Sequence, residues 1–258
     1  MGWMDAHCHL QVLPEPELAA VLTRAGVFGV DAFAVNGTRP EDWGAVAALA
    51  GREGVRPQFG LHPWFAEAAE GWEAELTALL LRFPQAGVGE IGLDSKLTET
   101  PMAVQEAVLA RQLALAARLG RVCTLHAVGD VWAALLAAVR AARPPRVLLH
   151  AWGGGAGRVG DWVALGGWFS FGGAVCRERV GAGLRAAVRA VPADRLLLET
   201  DCPWQHPEGR ALRSEPAMLL RVAGAVAEIR EISVEALLRQ THENAMAFFA
   251  GQLGVTDA

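Results

Sequence analysis

Asp5, His7 and His9 recur at every second position near the start of the chain. On a β-strand a period of two places such side chains on one face, with Cys8 on the other. Two imidazoles on one face can grip a metal ion, although a lone His-x-His fits packing or surface exposure equally well. Further polar residues end otherwise apolar runs. His62 follows Gly60-Leu61, and Glu90 lies in Gly89-Glu90-Ile91-Gly92-Leu93-Asp94. His126 closes Val122-Cys123-Thr124-Leu125, His150 closes Val147-Leu148-Leu149, and Glu199-Thr200-Asp201 follows Leu196-Leu197-Leu198. Buried without partners such groups would be costly, so one shared site accounts for them together.

The candidate ligands are His7, His9, Glu90, His126, His150 and Asp201. Imidazoles and carboxylates without a thiolate suit Zn, Mn, Mg, Ni or Fe. Six groups exceed what one catalytic ion with an open position uses, and fit two divalent metal ions sharing a carboxylate. Two ions roughly 3.5–4 Å apart can activate a water and stabilise both the attacking and leaving oxygens in phosphoester cleavage. Ligating imidazoles must be neutral, so metal affinity is expected to fall below about pH 6.5. His62 reads as a substrate-pocket acid or hydrogen-bond donor, against a structural histidine before Pro63.

Converging these groups requires a scaffold that brings many strand ends together. Candidate strands cover 3–9, 27–35, 56–61, 87–91, 122–126, 146–150, 167–171 and 195–199. Helical stretches follow at 15–25, 40–53, 72–83, 101–119, 130–142, 157–165, 178–190 and 215–229, with a last helix over about 232–253. Eight β–α units in about 250 residues is the arithmetic of an α/β fold of the (β/α)8 TIM-barrel class. A doubly wound open sheet is the rival reading. No linker divides the chain, so residues 1–258 are expected to form one barrel domain. In a barrel the polar strand ends meet at one face, where such folds carry their chemistry.

Composition narrows the function further. The chain is 52% hydrophobic and 20% charged, which excludes intrinsic disorder. Its 23 basic residues include only one lysine, Lys96, and 28 acidic residues leave a net charge of −5. Without a basic cluster, avid sequence-independent binding of long duplexes is not expected. A nucleic acid held mainly through metal ions remains compatible. Four cysteines without a Cys-x-x-Cys pair read as free thiols. The start of the chain shows no secretory signal, and the longest apolar run, Val131 to Val139, is far short of a membrane span. A cytoplasmic protein without membrane contact is expected.

These stretches together resemble the TatD family of metal-dependent hydrolases, within the amidohydrolase superfamily. Asp5-Ala6-His7-Cys8-His9-Leu10, Gly60-Leu61-His62-Pro63, Gly89-Glu90-Ile91-Gly92-Leu93-Asp94, Thr124-Leu125-His126, Leu148-Leu149-His150 and Leu197-Leu198-Glu199-Thr200-Asp201-Cys202-Pro203 carry the resemblance, in family order. It implies a TIM-like barrel and a two-metal site. It assigns His7, His9 and Asp201 to one ion, His126 and His150 to the other, and Glu90 to both. It also gives Asp201 a part in orienting or deprotonating the attacking water. A carboxylated lysine bridges the metals in many superfamily relatives; Lys96 lies six positions past Glu90, so Glu90 is the better bridge. Family members are described as DNases, often acting from 3′ ends on single-stranded or damaged DNA, so a single-stranded DNA substrate is implied.

The chain departs from the family pattern in its substrate loops. Ala127-Val128-Gly129-Asp130 stands where Ser-Arg-Asp-Ala is common, and Ala151-Trp152-Gly153-Gly154 replaces Cys-Phe-Ser-Gly. No tyrosine occurs at all. Reaction type therefore transfers better than substrate, and hydrolysis of a small-molecule ester, lactone or amide stands as the alternative. A barrel that only binds or scaffolds is disfavoured because all six ligand positions are filled. Trp64, Trp152 and Trp204 could stack bases or simply pack loops. Gly153-Gly154-Gly155 is a weak candidate for phosphate approach. Arg177, Arg179, Arg210 and Arg213 could replace the missing cation or be solvated surface residues. Glu199 reads equally as a group orienting a ligand or a loop cap, Asp5 and Asp94 read as structural carboxylates, and His206 and His242 as surface histidines.

Overall fold

The computed structural model describes residues 2–67, 71–177, 180–209 and 211–250. Eight strands alternate with helices: β1 (Trp3–Cys8), β2 (Val30–Asn36), β3 (Val55–Phe59), β4 (Gly87–Asp94), β5 (Cys123–Val128), β6 (Val147–Leu149), β7 (Gly167–Phe171) and β8 (Leu196–Leu198). They form one sheet in sequential order with every paired neighbour parallel. Just past the strands, Asp201 N donates to the His7 carbonyl at 3.0 Å and His9 N to the Cys202 carbonyl at 2.6 Å. The last strand's exit is thereby tied to the first, and the sheet curls into a (β/α)8 barrel. A doubly wound sheet would reverse its strand order partway, which this one does not.

The helices are α1 (Glu15–Val27), α2 (Pro40–Leu49), α3 (Trp72–Arg82), α4 (Met102–Arg118), α5 (Trp132–Ala142), α6 (Val159–Val163), α7 (Ala182–Ala190), α8 (Leu219–Arg230) and α9 (Val234–Phe249). Proline in the first turn starts α1 and α2, where its missing N–H is no loss. The Ser233 hydroxyl caps α9 by accepting from Ala236 N at 3.1 Å. Boundaries differ from the sequence reading in instructive places. β2 starts at Val30, not Val27, because Val27 still belongs to α1 and Gly29, at φ +73°, makes the turn. The expected start of the seventh helix at 178 and the expected end of the last at 253 lie outside the described residues.

Two apolar layers hold the barrel. Alternate strand residues such as Val35, Phe59, Ile91, Leu125 and Leu149 pack against the helices. Others, including Met4, Ala6, Ala34, Leu148, Trp168 and Leu197, form a separate cluster with Phe248 and Phe249 of α9. Arg146, just before β6, donates to the carbonyls of Ala247 at 2.7 Å and Phe248 at 3.0 Å. α9 thus plugs the end of the barrel where strands begin, leaving the other end for chemistry.

Candidate metal centre

The first strand does not present Asp5, His7 and His9 on one face as simple alternation implies. Asp5 pairs with Phe33 and Cys8 with Val35, so three steps on β1 match two on β2. This bulge breaks the period of two. Asp5 is buried away from the donors and accepts from Thr200 N at 3.0 Å, the Thr200 hydroxyl and His7 N at 3.3 Å. Burial raises its pKa to about 7 against those hydrogen bonds. Its role is structural: it ties β1 to the turn that carries Asp201.

His7 and His9 turn towards Glu90 from β4 and Asp201 from beyond β8. His7 Nε2 lies 3.1 Å from His9 Nε2 and 3.5 Å from both Glu90 Oε2 and Asp201 Oδ1. His9 Nε2 lies 3.3 Å from each of the same oxygens. Donors around a tetrahedral ion with bonds near 2.0–2.2 Å are about 3.3–3.6 Å apart, so this quartet has the spacing to hold one cation. Glu90 Oε1 faces the other way. It lies 2.8 Å from His126 Nδ1, 2.8 Å from His150 Nε2 and 3.4 Å from His62 Nε2. Each oxygen of Glu90 therefore serves a different set of imidazoles. Among the described residues, three groups close enough to hold a metal emerge: His7–His9–Asp201, His7–Glu90–His150 and His62–Glu90–His126.

Outer groups fix these side chains. His9 Nδ1 faces the Asn36 carbonyl at 2.8 Å, which leaves Nε2 as its donor atom. Glu199, fully buried, accepts from Ala151 N at 2.9 Å and from the Ser170 hydroxyl, and its Oε1 lies 3.5 Å from His150 Nδ1. It orients a candidate ligand. Gln205 donates to Asp201 Oδ2 at 2.7 Å, freeing Oδ1 for the cluster. Asp201 itself has φ +54°, a left-handed backbone that aspartate tolerates better than most residues. Gly92 has φ +155°, and a Cβ there would lie 2.0 Å from the His126 carbonyl, so only glycine lets β4 approach β5 beside this histidine.

Electrostatics follow from two carboxylates among buried imidazoles. Burial opposes charge on His9, yet Asp201 and Glu90 outweigh it and raise its pKa to about 10. His150 and His126 are raised against burial too, chiefly by Glu90 in the first and by Asp94 and Glu90 in the second. Burial would raise Glu90 and Asp201, but the surrounding histidines hold both well below the usual carboxylate range. The site draws positive charge. His62 differs: burial lowers its pKa to about 4. Its Nδ1 accepts from Trp64 N at 3.2 Å, so in the neutral ring Nε2 carries the proton and points towards Glu90. Hydrogen-bond donation, not acid catalysis, suits it near neutrality.

Two residues of the site's support are absent from the sequence reading. Gln112 of α4 accepts from Leu61 N at 2.7 Å and donates to the Leu61 carbonyl at 3.0 Å. Gln105, two turns earlier, accepts from Asp94 N at 2.8 Å and donates to the carbonyls of Asp94 and Thr100 at 3.2 and 2.9 Å. These buried amides pin the loop carrying His62 and the end of β4 at Asp94. Their signal was available as two glutamines seven apart on the apolar face of a helix. Asp94 accepts from the Trp64 indole at 2.9 Å and from Lys96 N at 2.9 Å, a structural use.

Other candidates sort by burial. Trp152 is only 1% exposed, edge-on to Trp132 and Phe169, and stacks no substrate. The Gly154 carbonyl accepts from Arg158 at 3.0 Å, so that turn serves local packing. His206 is buried, not at the surface as expected, because the loop after β8 folds back and Glu208 N donates to its Nδ1 at 3.0 Å. His242 is half-buried beside Trp3. Arg213 pairs with Glu17 at 3.0 Å. Arg177 lines a cavity of about 290 Å³ with Cys176, Arg185 and Glu228. Arg179 and Arg210 lie outside the described residues.

Residues 4–250 match the family described as TatD related DNase. The chain is 34% identical over 238 residues to the 3′-5′ ssDNA/RNA exonuclease TatD of Klebsiella pneumoniae (strain 342), covering 89% of this chain and 90% of that protein. It is 30% identical over 255 residues to the metal-dependent hydrolase YabD of Bacillus subtilis (strain 168), covering 95% and 98%. Among solved structures, the TatD homologue YJJV of Escherichia coli K12 superposes with a TM-score of 0.90 at 28% identity, covering 96% and 98%.

Proposed function

Because this chain belongs to the TatD related DNase family, we propose that it is a divalent-metal-dependent hydrolase that cleaves phosphodiester bonds of single-stranded DNA from the 3′ end. The observation that carries this reading is Glu90, whose two oxygens face separate imidazole sets. His7, His9, Asp201 and Glu90 would hold one ion, and Glu90, His126 and His150 a second. The donor set fits: Nε2 of His7, His9 and His150 and Nδ1 of His126 all converge on the two carboxylates at 2.8–3.5 Å, buried nitrogen and oxygen donors of the kind a divalent cation takes. A set rich in imidazole favours Zn, Ni or Fe over Mg, while its two carboxylates also suit Mn. When bound, two divalent cations supply the charge that stabilises the attacking and leaving oxygens of an in-line displacement.

The chain's own residues do the rest. Asp201, with Oδ2 held by Gln205 and Oδ1 facing His7 and His9, has its carboxylate fixed where it would orient the attacking water. Glu90 fixes the spacing between the two imidazole sets. His62, its Nδ1 held by Trp64 N, would turn its Nε2–H from Glu90 to a phosphate oxygen when substrate enters. Burial of these groups excludes bulk water and strengthens each interaction. The four cysteines are unpaired, which supports a reducing, cytoplasmic setting, and no described helix is long and apolar enough to cross a membrane.

Metal-reconstituted protein incubated with 3′-labelled single-stranded DNA is expected to release labelled mononucleotide. Asp201→Asn should reduce the rate about a hundredfold or more. Release at the level of that variant would refute the nuclease reading. Turnover of small esters or amides by the same preparation would then favour the small-molecule alternative, which the changed loop at Ala127–Asp130 supports.

A further inference from the structure

We propose that Trp64 and Trp204 are stacking platforms for unpaired bases on the two sides of the phosphodiester held at the donor cluster. The proposal rests on the nuclease reading above and names what grips the strand. Of the nine tryptophans, only these two are exposed, at 56% and 49%. Both stand at the cluster, each beside a different one of its histidines. The Trp204 ring lies 4.8 Å from that of His9 at 73°, and His9 groups with His7 and Asp201. The Trp64 ring lies 5.1 Å from that of His62 at 85°, and His62 groups with Glu90 and His126. A phosphate between these groups would have a solvated indole on either flank.

Each contact is edge-to-face and leaves about half of the tryptophan exposed. Trp64 is fixed further by its indole N–H on Asp94 Oδ2 at 2.9 Å. A ring already held loses little freedom when a base stacks on it. Charge gives an independent reason for an apolar grip. The chain is acidic overall, and Arg213 is committed to Glu17 while Arg39 lies over the Phe65 ring at 4.7 Å. With an acidic chain and no basic cluster in its sequence, base stacking adds to whatever grip the metals and scattered cations have on the phosphates. Stacking is tolerant of sequence, whereas a paired base has its faces occupied by neighbours. Two platforms flanking one bond thus select single strands without selecting a sequence.

The test compares kcat/KM of metal-loaded protein on two 5′-labelled strands, one ordinary and one with abasic residues at its two 3′-terminal positions. The wild type is expected to favour the ordinary strand. Trp64→Ala and Trp204→Ala should each shrink that preference at least about fivefold, mainly through KM. Trp64→Phe and Trp204→Phe, which keep a stacking face, should retain it. A preference unchanged in both alanine variants, or one lost equally in the phenylalanine variants, overturns the proposal while leaving the nuclease reading intact. A wild type that degrades neither strand overturns both.

Discussion

Glu90 stands where two demands for charge meet. Its carboxylate is buried, which disfavours ionisation, yet His150, His62 and His126 around it hold it ionised. The same attraction works in reverse on the imidazoles. His9 has its pKa raised to about 10, so near neutrality it still carries the proton that a cation must displace. Sign matters here: a ligand needs the neutral ring, and the neutral fraction grows only as pH approaches that raised value. Metal affinity is therefore expected to keep climbing from pH 7 towards 9, not to level off above about 6.5 as free imidazole would imply. Calorimetric titration with Zn2+ or Mn2+ in buffers of different ionisation heat should register at least one proton released per chain at pH 7.5. Absence of release would count against His9 as a ligand. The ligand residues were legible individually because each is a polar residue set in or just after an apolar run, although β4 continues past Glu90 to Asp94 and β5 past His126 to Val128. Their pKa values were not, since these depend on which carboxylate each imidazole meets across the barrel.

Elements decide how rigidly those side chains are presented. α4 lends two amides to the backbone of neighbouring loops, and Gln112 completes both hydrogen bonds of Leu61, directly before His62. Gln112→Leu keeps the volume but leaves a buried N–H and carbonyl unpaired. A loss of about 2–4 kcal/mol is expected, seen as a fall in Tm of roughly 5–15 °C. An unchanged Tm would mean that water or a shifted loop replaces the amide. Strand and helix spans were largely readable from alternating apolar runs and proline starts. The bulge in β1 was not, because a bulge is defined by the partner strand's register and leaves no mark in the strand's own composition. That is why Asp5 reads as a companion of His7 and His9 in sequence yet turns to Thr200 in space.

At the scale of the molecule, the donors come from five parts of the chain: β1, β4, β5, the exit of β6 and the exit of β8. Two cations sharing Glu90 would together join all of them and so stabilise only the closed barrel. Excess metal at about a hundredfold its Kd contributes roughly 2.7 kcal/mol. Stripping it with EDTA should lower Tm by about 5–10 °C, with recovery on adding back Zn2+ or Mn2+. A melting curve indifferent to EDTA would mean that the cluster does not bind metal in solution. α9 matters at this scale as well, because its Phe248 and Phe249 close the opposite end of the lumen.

By itself the sequence determined which polar side chains interrupt or follow apolar runs, the alternation that makes a barrel, and a donor set of imidazoles and carboxylates without thiolates. Those features are local, written in the order of polar and apolar residues. Tertiary structure alone decided that Glu90 divides its oxygens between two sets of histidines, that Asp5 does its structural work on Thr200, that Trp152 packs a loop, that His206 is buried, and that Trp64 and Trp204 stand open beside the cluster. These depend on distances between segments far apart in the chain, and such distances arise only when the sheet closes on itself.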